Sequence, residues 1–226
     1  MPTAFGRAML DSIHGNLRQF RMTMQGGHGI NLNCREYLTT RTEENQLLDG
    51  LNLPEHGTVL DMGCGVGRHL VRVRRNRPNV RCYGIEICEL MLDHCRNTIR
   101  TPSTFVNSLE EIPNHIQVDL IMLMGNGLGV LGQEQDARVH LGTLVNLLSK
   151  TGQIIIETGN PFGHGYVAPN FTVEYTEYQD GPFPWGHSDR KWITQTLQNL
   201  DCSVTIHPSQ APGGMFFFAV GHKGNK

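Results

Sequence analysis

The chain of 226 residues is 38% hydrophobic and 18% charged, and its formal net charge is -2. This composition is typical of one globular domain with elaborations, and it excludes a disordered or collagen-like chain. The near-neutral charge disfavours a nucleic-acid partner. No apolar run approaches the roughly 20 residues that cross a bilayer, and the N-terminus lacks the apolar segment of a secretory signal. We therefore expect a cytoplasmic protein.

The six cysteines support the same compartment. They include no C-x-x-C pair, and their spacing suits neither a zinc site nor a disulfide framework. We expect six reduced thiols and no bound metal.

The N-terminal segment, residues 1–42, is rich in glycine and polar residues and has weak periodicity. Helical turns are predicted at Arg7–His14 and Leu17–Met22, and a better-defined amphipathic helix at Glu43–Leu51. We expect residues 1–42 to form a cap and residues 43–226 to form the main domain.

From Thr58 onward, predicted strands alternate with glycine-rich turns and helices. The strands are Val59–Met62, Val80–Ile85, Thr104–Val106, Val118–Met124 and Gln153–Glu157, and the helices are Arg68–Arg75, Cys88–Arg100 and Gln135–Leu148. Strands that alternate with helices indicate a parallel, doubly wound sheet.

Two late strands complete the predicted sheet. Ser203–His207 and Met215–Val220 follow a helix at Asp189–Leu200, and a Pro/Gly turn joins them. Strands connected in this way usually pair antiparallel at a sheet edge. We expect an α/β, Rossmann-like fold: a doubly wound, seven-stranded, mostly parallel sheet with helices on both faces and an antiparallel edge strand.

Residues 160–187 interrupt this alternation. They hold seven aromatic residues and four prolines. The segment leaves the fifth strand at its carboxyl end, where ligands bind in such sheets. We predict an insertion at 160–187 that covers the substrate.

The string VLDMGCGVG, residues 59–67, is the most informative motif. A strand that runs into closely spaced glycines and then a helix lets backbone amides approach an anionic group. Dinucleotide-binding proteins use the same arrangement, but two residues differ from their pattern. Asp61 would repel a pyrophosphate and suits the ammonium of an amino-acid moiety. Arg68 occupies the third glycine position of G-x-G-x-x-G.

Glu86 ends the second strand, nineteen residues past Gly67. This is the right distance for a carboxylate that accepts from a ribose hydroxyl. More than one family of nucleoside-binding proteins uses an acid here, so Glu86 predicts a ribose-bearing ligand without deciding between these families.

Together, VLDMGCGVG, Glu86 and the apolar strand before Gly125-Asn126 resemble the class I S-adenosylmethionine-dependent methyltransferases. The resemblance covers about Leu47 to Val220 and implies S-adenosyl-L-methionine as cofactor. The G-N-x-L-G form at 125–129 and the later F-P-W at 183–185 resemble a small-molecule branch. The D/N/S-P-P-Y/F motif of amino-methylating DNA enzymes does not occur after this strand. The implied activity is methyl transfer to a small molecule or short peptide.

The resemblance also implies a set of cofactor-binding residues. Asp61, Gly63 and Gly65 would surround the methionine part, and Arg41 would meet its carboxylate. Glu86 would hold the ribose, and Ser108 would contact the adenine where the family usually has an acid. The full set is Arg41, Asp61, Gly63, Cys64, Gly65, Glu86, Ile87, Ser108, Leu109, Met124 and Gly125.

The expected substrate-binding residues come from the two loops at the carboxyl edge of the sheet and from the N-terminal segment. They are His28, Tyr37, Asn126, Tyr175, Tyr178 and Trp185. A general base is needed only if the nucleophile arrives protonated. His28, His164 and His187 are the histidines available for that role, and the sequence selects none of them.

Two other functions remain open at this point. An NAD(P)-dependent oxidoreductase is disfavoured by Asp61, by Arg68 and by the lack of a Tyr-x-x-x-Lys pair. A non-catalytic S-adenosylmethionine-binding protein is disfavoured by the intact motif around Asp61.

Overall fold

The computed structural model describes residues 3–15, 17–99, 103–113, 115–209 and 215–224. The first elements in the chain are α1 (Ala4–His14), β1 (Gln19–Met24), β2 (Gly29–Asn33), α2 (Arg35–Leu38) and α3 (Thr42–Asp49). The middle elements are β3 (Thr58–Met62), α4 (Arg68–Asn76), β4 (Arg81–Ile85), α5 (Glu89–Thr98), β5 (Ser103–Val106), β6 (Val118–Leu123), α6 (Glu134–Leu147) and β7 (Leu148–Gly159). The last elements are β8 (Tyr166–Val167), β9 (Asn170–Tyr175), β10 (Tyr178–Pro184), β11 (His187–Ser188), α7 (Arg190–Gln198), β12 (Cys202–Pro208) and β13 (Phe216–Lys223). Short 3-10 turns lie at Leu109–Glu111 and Gly127–Leu131.

A seven-stranded sheet forms the centre of the molecule, in the order β12-β13-β7-β6-β3-β4-β5. The strands from β3 to β7 are parallel to their neighbours within that group, and β13 runs antiparallel to both β7 and β12. The order reverses between β3 and β6, and ligands bind at such a switch point. The predicted fold class is confirmed.

Both faces of this sheet are buried. Alternate residues of each central strand point to opposite sides, so each strand contributes to a core cluster on either face. One core cluster contains Leu60, Ile121 and Ile154 together with Leu141 and Leu144 of α6. The other contains Val59, Leu120 and Ile155 together with Leu70 of α4 and Leu92 of α5. The continuous apolar runs of the sequence therefore become central strands with a helical layer on each side.

A second, four-stranded antiparallel sheet joins the N-terminal segment to the predicted insertion. Its order is β10-β9-β1-β2, and β1 pairs with β9 through Arg21 opposite Glu174. Helix α1 packs against this sheet through Ala8 and Met9. Two segments that are far apart in sequence thus form one covering unit beside the main sheet. The division at residue 42 remains a prediction.

A carboxylate from the insertion fixes the start of α1. Asp180 is buried and accepts hydrogen bonds from the backbone N–H groups of Thr3 at 2.6 Å and Phe5 at 3.1 Å. The first N–H groups of a helix have no partner within the helix, and its N-terminus attracts negative charge. Asp180 therefore ties the N-terminal helix to β10.

Two local predictions need correction, and two others fall outside the described residues. The helical turn expected at Leu17–Met22 is wrong, because pairing with β9 selects the strand β1 there. The predicted start of the fifth strand at Gln153 is too late, because β7 already begins at Leu148. The predicted end of a helix at Arg100 and most of the predicted Pro/Gly turn, residues 210–214, lie outside the described residues. Among the described helices, none has the length and apolar character that a membrane crossing requires.

Candidate active site

The loop between β3 and α4 is built from three glycines in left-handed conformation. Gly63, Gly65 and Gly67 have φ values of +70°, +56° and +76°, which residues with a Cβ rarely adopt. At Gly67 a Cβ would also lie 2.3 Å from Ile99 Cδ1, whereas no described atom lies within 4 Å of that position at Gly65. The loop is packed against α5 at one end and open to a ligand at the other.

Glu86 connects the end of β4 to this loop. Its Oε2 accepts from the Gly65 N–H at 2.9 Å, and its Oε1 accepts from the Cys88 N–H at 3.0 Å. Burial raises the pKa of Glu86, and these backbone N–H groups oppose the rise. Each carboxylate oxygen keeps a further lone pair, so Glu86 can also accept from a diol.

Asp61, at the end of β3, is 1% exposed, and its Oδ2 has no hydrogen-bond partner among the described residues. His69 Nδ1 lies 3.9 Å from this oxygen. Burial raises the pKa of Asp61 to about 8, although the nearby Arg68 guanidinium lowers it. An unpaired buried carboxyl is costly, and a cationic ligand group would relieve that cost.

Arg41, expected to meet the cofactor carboxylate, contacts protein carboxylates instead. Its guanidinium bonds to Glu44 at 2.9 Å and to Glu157, and Glu43 lies 3.3 Å away. The other oxygen of Glu157 accepts from the Gly125 N–H at 2.7 Å. Arg41 therefore joins α3 to the ends of β6 and β7 through a buried charge network.

Arg68, the first residue of α4, is a site residue that the sequence reasoning used only to argue against dinucleotides. Its Nη1 donates to the carbonyl oxygens of Glu36 and Thr39, the latter at 2.7 Å, and its Nη2 lies 3.4 Å from Glu44 Oε1. These bonds hold the segment that carries Tyr37 against the glycine loop. The signal in the sequence is a cation at a helix N-terminus, where the helix dipole disfavours it.

A cavity lies between the glycine loop, the end of β6 and the covering unit. Its lining is Phe5, Met9, Tyr37, Gly63, Cys64, Gly65, Val66, Arg68, His69, Met91, Met124, Gly125, Gly127, Val130 and Trp185. Seven predicted residues meet here: Gly63, Cys64, Gly65, Met124 and Gly125 from the cofactor set, and Tyr37 and Trp185 from the substrate set. The Trp185 ring packs on Gly129, where a Cβ would be 2.0 Å from it. The N-terminal segment and the insertion both reach the glycine loop.

Three predicted cofactor residues lie side by side at the edge of the main sheet. Ile85 pairs with Val106, so Ile87, just after β4, is a neighbour of Ser108 and Leu109, just after β5. Ile87 is 62% exposed. The side chain of Ser108 caps the 3-10 turn that follows it. Ser108 and Leu109 are partly buried, and Leu109 packs against the core, so Ile87 is the most exposed of the three.

The other predicted substrate residues do not line the cavity. His28 is exposed in the turn between β1 and β2. Tyr175 is buried, and its hydroxyl donates to Asp11 at 2.8 Å. The guanidinium of Arg7 lies over the ring of Tyr178, 5.4 Å from its centroid. Both tyrosines hold α1 on the small sheet, because the alternation of β9 and β10 turns them toward that helix.

Asn126, between two lining glycines, has a left-handed backbone with φ of 57°. Its amide Nδ2 lies 3.3 Å from Nδ1 of His187, which is buried. The sequence named both residues as candidates, and only the tertiary structure brings them together.

Comparisons with known proteins place this geometry in context. Residues 59–152 match the family model described as a methyltransferase domain, whereas no curated protein matches the sequence. An S-adenosylmethionine-dependent methyltransferase from Bacteroides fragilis, solved with S-adenosyl-L-homocysteine, is 17% identical with a TM-score of 0.80, covering 98% of this chain and 94% of that chain. DesVI of Streptomyces venezuelae is 16% identical with a TM-score of 0.60, covering 80% and 90%. The 1,6-didemethyltoxoflavin-N1-methyltransferase of Burkholderia thailandensis is 13% identical with a TM-score of 0.59, covering 81% and 77%. At these identities the likeness shows a shared fold.

Proposed function

We propose that the chain is a class I S-adenosylmethionine-dependent methyltransferase, and that it transfers the methyl group of S-adenosyl-L-methionine to a small organic molecule or short peptide. The family match and the sheet order agree with the predicted enzyme class and disfavour the NAD(P)-dependent oxidoreductase. The solved relatives include a sugar N-methyltransferase and the toxoflavin enzyme, which supports a small-molecule acceptor.

The observation that carries the proposal is the contact between Glu86 and the glycine loop. The carboxylate that would hold a ribose is hydrogen bonded to Gly65, the residue where the loop is open. Asp61, with an unpartnered oxygen, lies at the end of β3, directly before the loop. A nucleoside joined to an amino acid that carries an ammonium fits both carboxylates, whereas a pyrophosphate would be repelled by them.

Different residues of the site would contact different parts of the cofactor. We propose that Gly63, Gly65 and Asp61 hold the methionine part, that Glu86 holds the ribose, and that Ile87, Ser108 and Leu109 flank the adenine. When bound, the cofactor supplies an activated methyl group on a sulfonium. Arg41 has a supporting role, since its guanidinium is bound to Glu44 and Glu157.

The chain contributes to methyl transfer mainly by orientation and by exclusion of water. Tyr37 and Trp185 enclose the cavity from the covering unit, and Met124 and Gly125 form the wall at the end of β6. Rings with a polar tip suit an organic acceptor that must be held in line with the methyl group.

A cytoplasmic location and the absence of a nucleic-acid partner are also proposals. All six cysteines are free and buried, which supports a reducing compartment. The net charge of -2 is small, which disfavours polyanion binding.

Thermal unfolding with S-adenosyl-L-homocysteine and with NAD tests the cofactor. S-adenosyl-L-homocysteine at a hundredfold excess over its dissociation constant should stabilise the protein by about 2.7 kcal/mol, and NAD should not. No shift at millimolar S-adenosyl-L-homocysteine, or a shift with NAD alone, would contradict the proposal. Methyl transfer from labelled S-adenosyl-L-methionine to a panel of small acceptors then separates an enzyme from a non-catalytic binding protein.

A further inference from the structure

Two buried polar groups at the carboxyl edge of the sheet are not used by the cofactor site. His187, in β11, is 6% exposed, and its Nδ1 lies 3.2 Å from the carbonyl oxygen of Gly159. A carbonyl can only accept, so the hydrogen of the neutral ring resides on Nδ1. Nε2 then carries a lone pair, and no described residue is hydrogen bonded to it. A buried acceptor without a partner points to a ligand or an ordered water.

The amide of Asn126 is the second group. Its Nδ2 lies 3.3 Å from His187 Nδ1, and its Oδ1 is buried without a partner among the described residues. Nδ1–H and the amide NH2 are both donors, so they cannot bond to each other in this orientation. If the amide is rotated by 180°, Oδ1 accepts from Nδ1–H, and the NH2 group is then left without a partner. In either orientation, one end of this amide is left for a ligand. Asn126 also keeps an uncommon left-handed backbone, which is frequent at binding sites.

Both residues lie beside the lining of the cavity. Gly125 and Gly127, on either side of Asn126, line it, and so does Trp185, two residues before His187. The Gly186 N–H lies 3.4 Å from the carbonyl oxygen of Gly129, so the insertion runs along the loop that follows β6. Asn126 and His187 therefore lie within two residues of positions that line the cavity, although neither is part of its lining.

The surroundings of His187 keep its ring neutral. The ring of Phe162 is edge-on at 5.2 Å between centroids, and Phe171 lies at 6.2 Å. Burial lowers the pKa of His187. A neutral imidazole with a free Nε2 can accept a proton at neutral pH.

We propose that His187 Nε2 and the Asn126 amide bind the O–H or N–H group of the methyl acceptor, and that His187 takes its proton. This inference rests on the proposed function. As the acceptor's oxygen or nitrogen forms its bond to the methyl carbon, the carbon–sulfur bond breaks and its electron pair stays on sulfur as a neutral thioether. The acceptor's proton moves to Nε2, which leaves a neutral methylated product and an imidazolium that later returns the proton to water.

The substrate class follows from these partners. The acceptor is a neutral hydroxyl or N–H group, carried on an apolar ring that packs against Trp185 and Tyr37. No carboxylate is among the described residues that line the cavity, so a cationic amine has no counter-charge there.

Fragment binding followed on the histidine rings tests the proposal without knowledge of the natural substrate. The probes are phenol and aniline, which carry O–H and N–H donors, and toluene, which has the same shape and no donor. The ¹⁵N-labelled full chain is first saturated with S-adenosyl-L-homocysteine, and the His187 signals are identified with the His187→Gln variant. We expect phenol and aniline to move the Nε2 signal of His187 and to bind about threefold to tenfold more tightly than toluene, the value of one hydrogen bond.

Two variants and a control test whether the preference for O–H and N–H probes depends on His187 and Asn126. The ratio of the affinity for phenol or aniline to the affinity for toluene should fall toward one in His187→Gln. It should also fall in Asn126→Gly, where glycine can adopt the same left-handed backbone. His164→Gln, a change at a fully exposed histidine of the same insertion, should leave it intact. Should His187→Gln fail to fold, the probe preference of Asn126→Gly compared with that of the wild type still decides the question.

The outcomes separate the two proposals. Equal binding of the three probes with an unmoved Nε2 signal, in protein that binds S-adenosyl-L-homocysteine, overturns the role of His187 and leaves the cofactor assignment standing. Failure to bind S-adenosyl-L-homocysteine overturns the proposed function itself. For any phenol or aniline that is methylated, His187→Gln should lower kcat by about a hundredfold or more, with S-adenosyl-L-homocysteine affinity changed by less than about threefold.

Discussion

The buried carboxyl of Asp61 should link cofactor binding to pH. Its pKa is raised to about 8 by burial, and the Glu86 and Glu44 carboxylates add to the rise while Arg68 opposes it. The ligand-free protein therefore holds this group protonated at pH 7. An ammonium placed beside it favours the ionised form, so binding of S-adenosyl-L-homocysteine should release a proton.

The expected size follows from that linkage. Between about pH 6 and about pH 8, the affinity for S-adenosyl-L-homocysteine should rise with pH, approaching tenfold per unit where one whole proton is released. Two neighbouring groups, His69 and Glu44, should not titrate in this window. Burial lowers the pKa of His69, and the pKa of Glu44 is lowered to about 2, where bonding to His69 and the charge of Arg68 outweigh burial.

The raised pKa of Asp61 also affects the stability of the ligand-free protein. Stability should fall as pH rises, whereas the affinity for S-adenosyl-L-homocysteine should increase. The pKa of an unfolded aspartate is about 3.9, so the folded protein binds the extra proton between that value and about 8. The stabilisation is complete below the unfolded pKa and is lost as pH rises through the folded pKa. The free energy of unfolding without ligand should fall by up to ~1.4 kcal/mol per pH unit within that range.

Calorimetry in two buffers of different ionisation enthalpy counts the released protons directly, and urea unfolding at several pH values measures the stability slope. The matched control is Asp61→Asn, which keeps the shape of the protonated carboxyl and cannot ionise. It should abolish the pH dependence of binding in this window and remove the contribution of Asp61 to the stability slope. If wild type and Asp61→Asn show the same pH profile for binding, the carboxyl does not titrate in the site and the reasoning fails.

Three further substitutions test the remaining parts of the site. Glu86→Gln should weaken S-adenosyl-L-homocysteine binding by about 2–3 kcal/mol. It should also lower the melting temperature, because one buried backbone N–H, at Gly65 or Cys88, loses its acceptor. An unchanged dissociation constant in calorimetry would contradict this prediction. Trp185→Ala should raise KM or abolish turnover and change S-adenosyl-L-homocysteine affinity by less than about threefold, whereas normal turnover in a folded variant would place the substrate elsewhere. Arg68→Ala should reduce stability by about 1–3 kcal/mol, since the carbonyl oxygens of Glu36 and Thr39 lose their donor while Glu44 keeps Arg41; an unaltered urea midpoint would show that Arg68 is dispensable.

The sequence alone predicted the central sheet and the glycine loop that follows its first parallel strand. Apolar runs such as 118–123 are buried on both faces, so their composition indicates a central strand without reference to the rest of the chain. The glycine loop is equally local, because the left-handed residues at Gly63 and Gly65 need no distant partner to be recognised. Glu86 follows from its spacing along one β-α-β unit.

Only the tertiary structure decided what surrounds that site. Arg41 was expected to face the cofactor, but Glu157, more than a hundred residues away, takes its guanidinium. Tyr175 was expected in the substrate site, but pairing of β9 with β1 sets the register that turns it toward Asp11. Antiparallel pairing between distant segments has no local signature, and a shift of one residue would reverse which side chains face inward. For the same reason, the approach of His187 to Asn126 depends on the path of the insertion along the end of the main sheet and not on any motif.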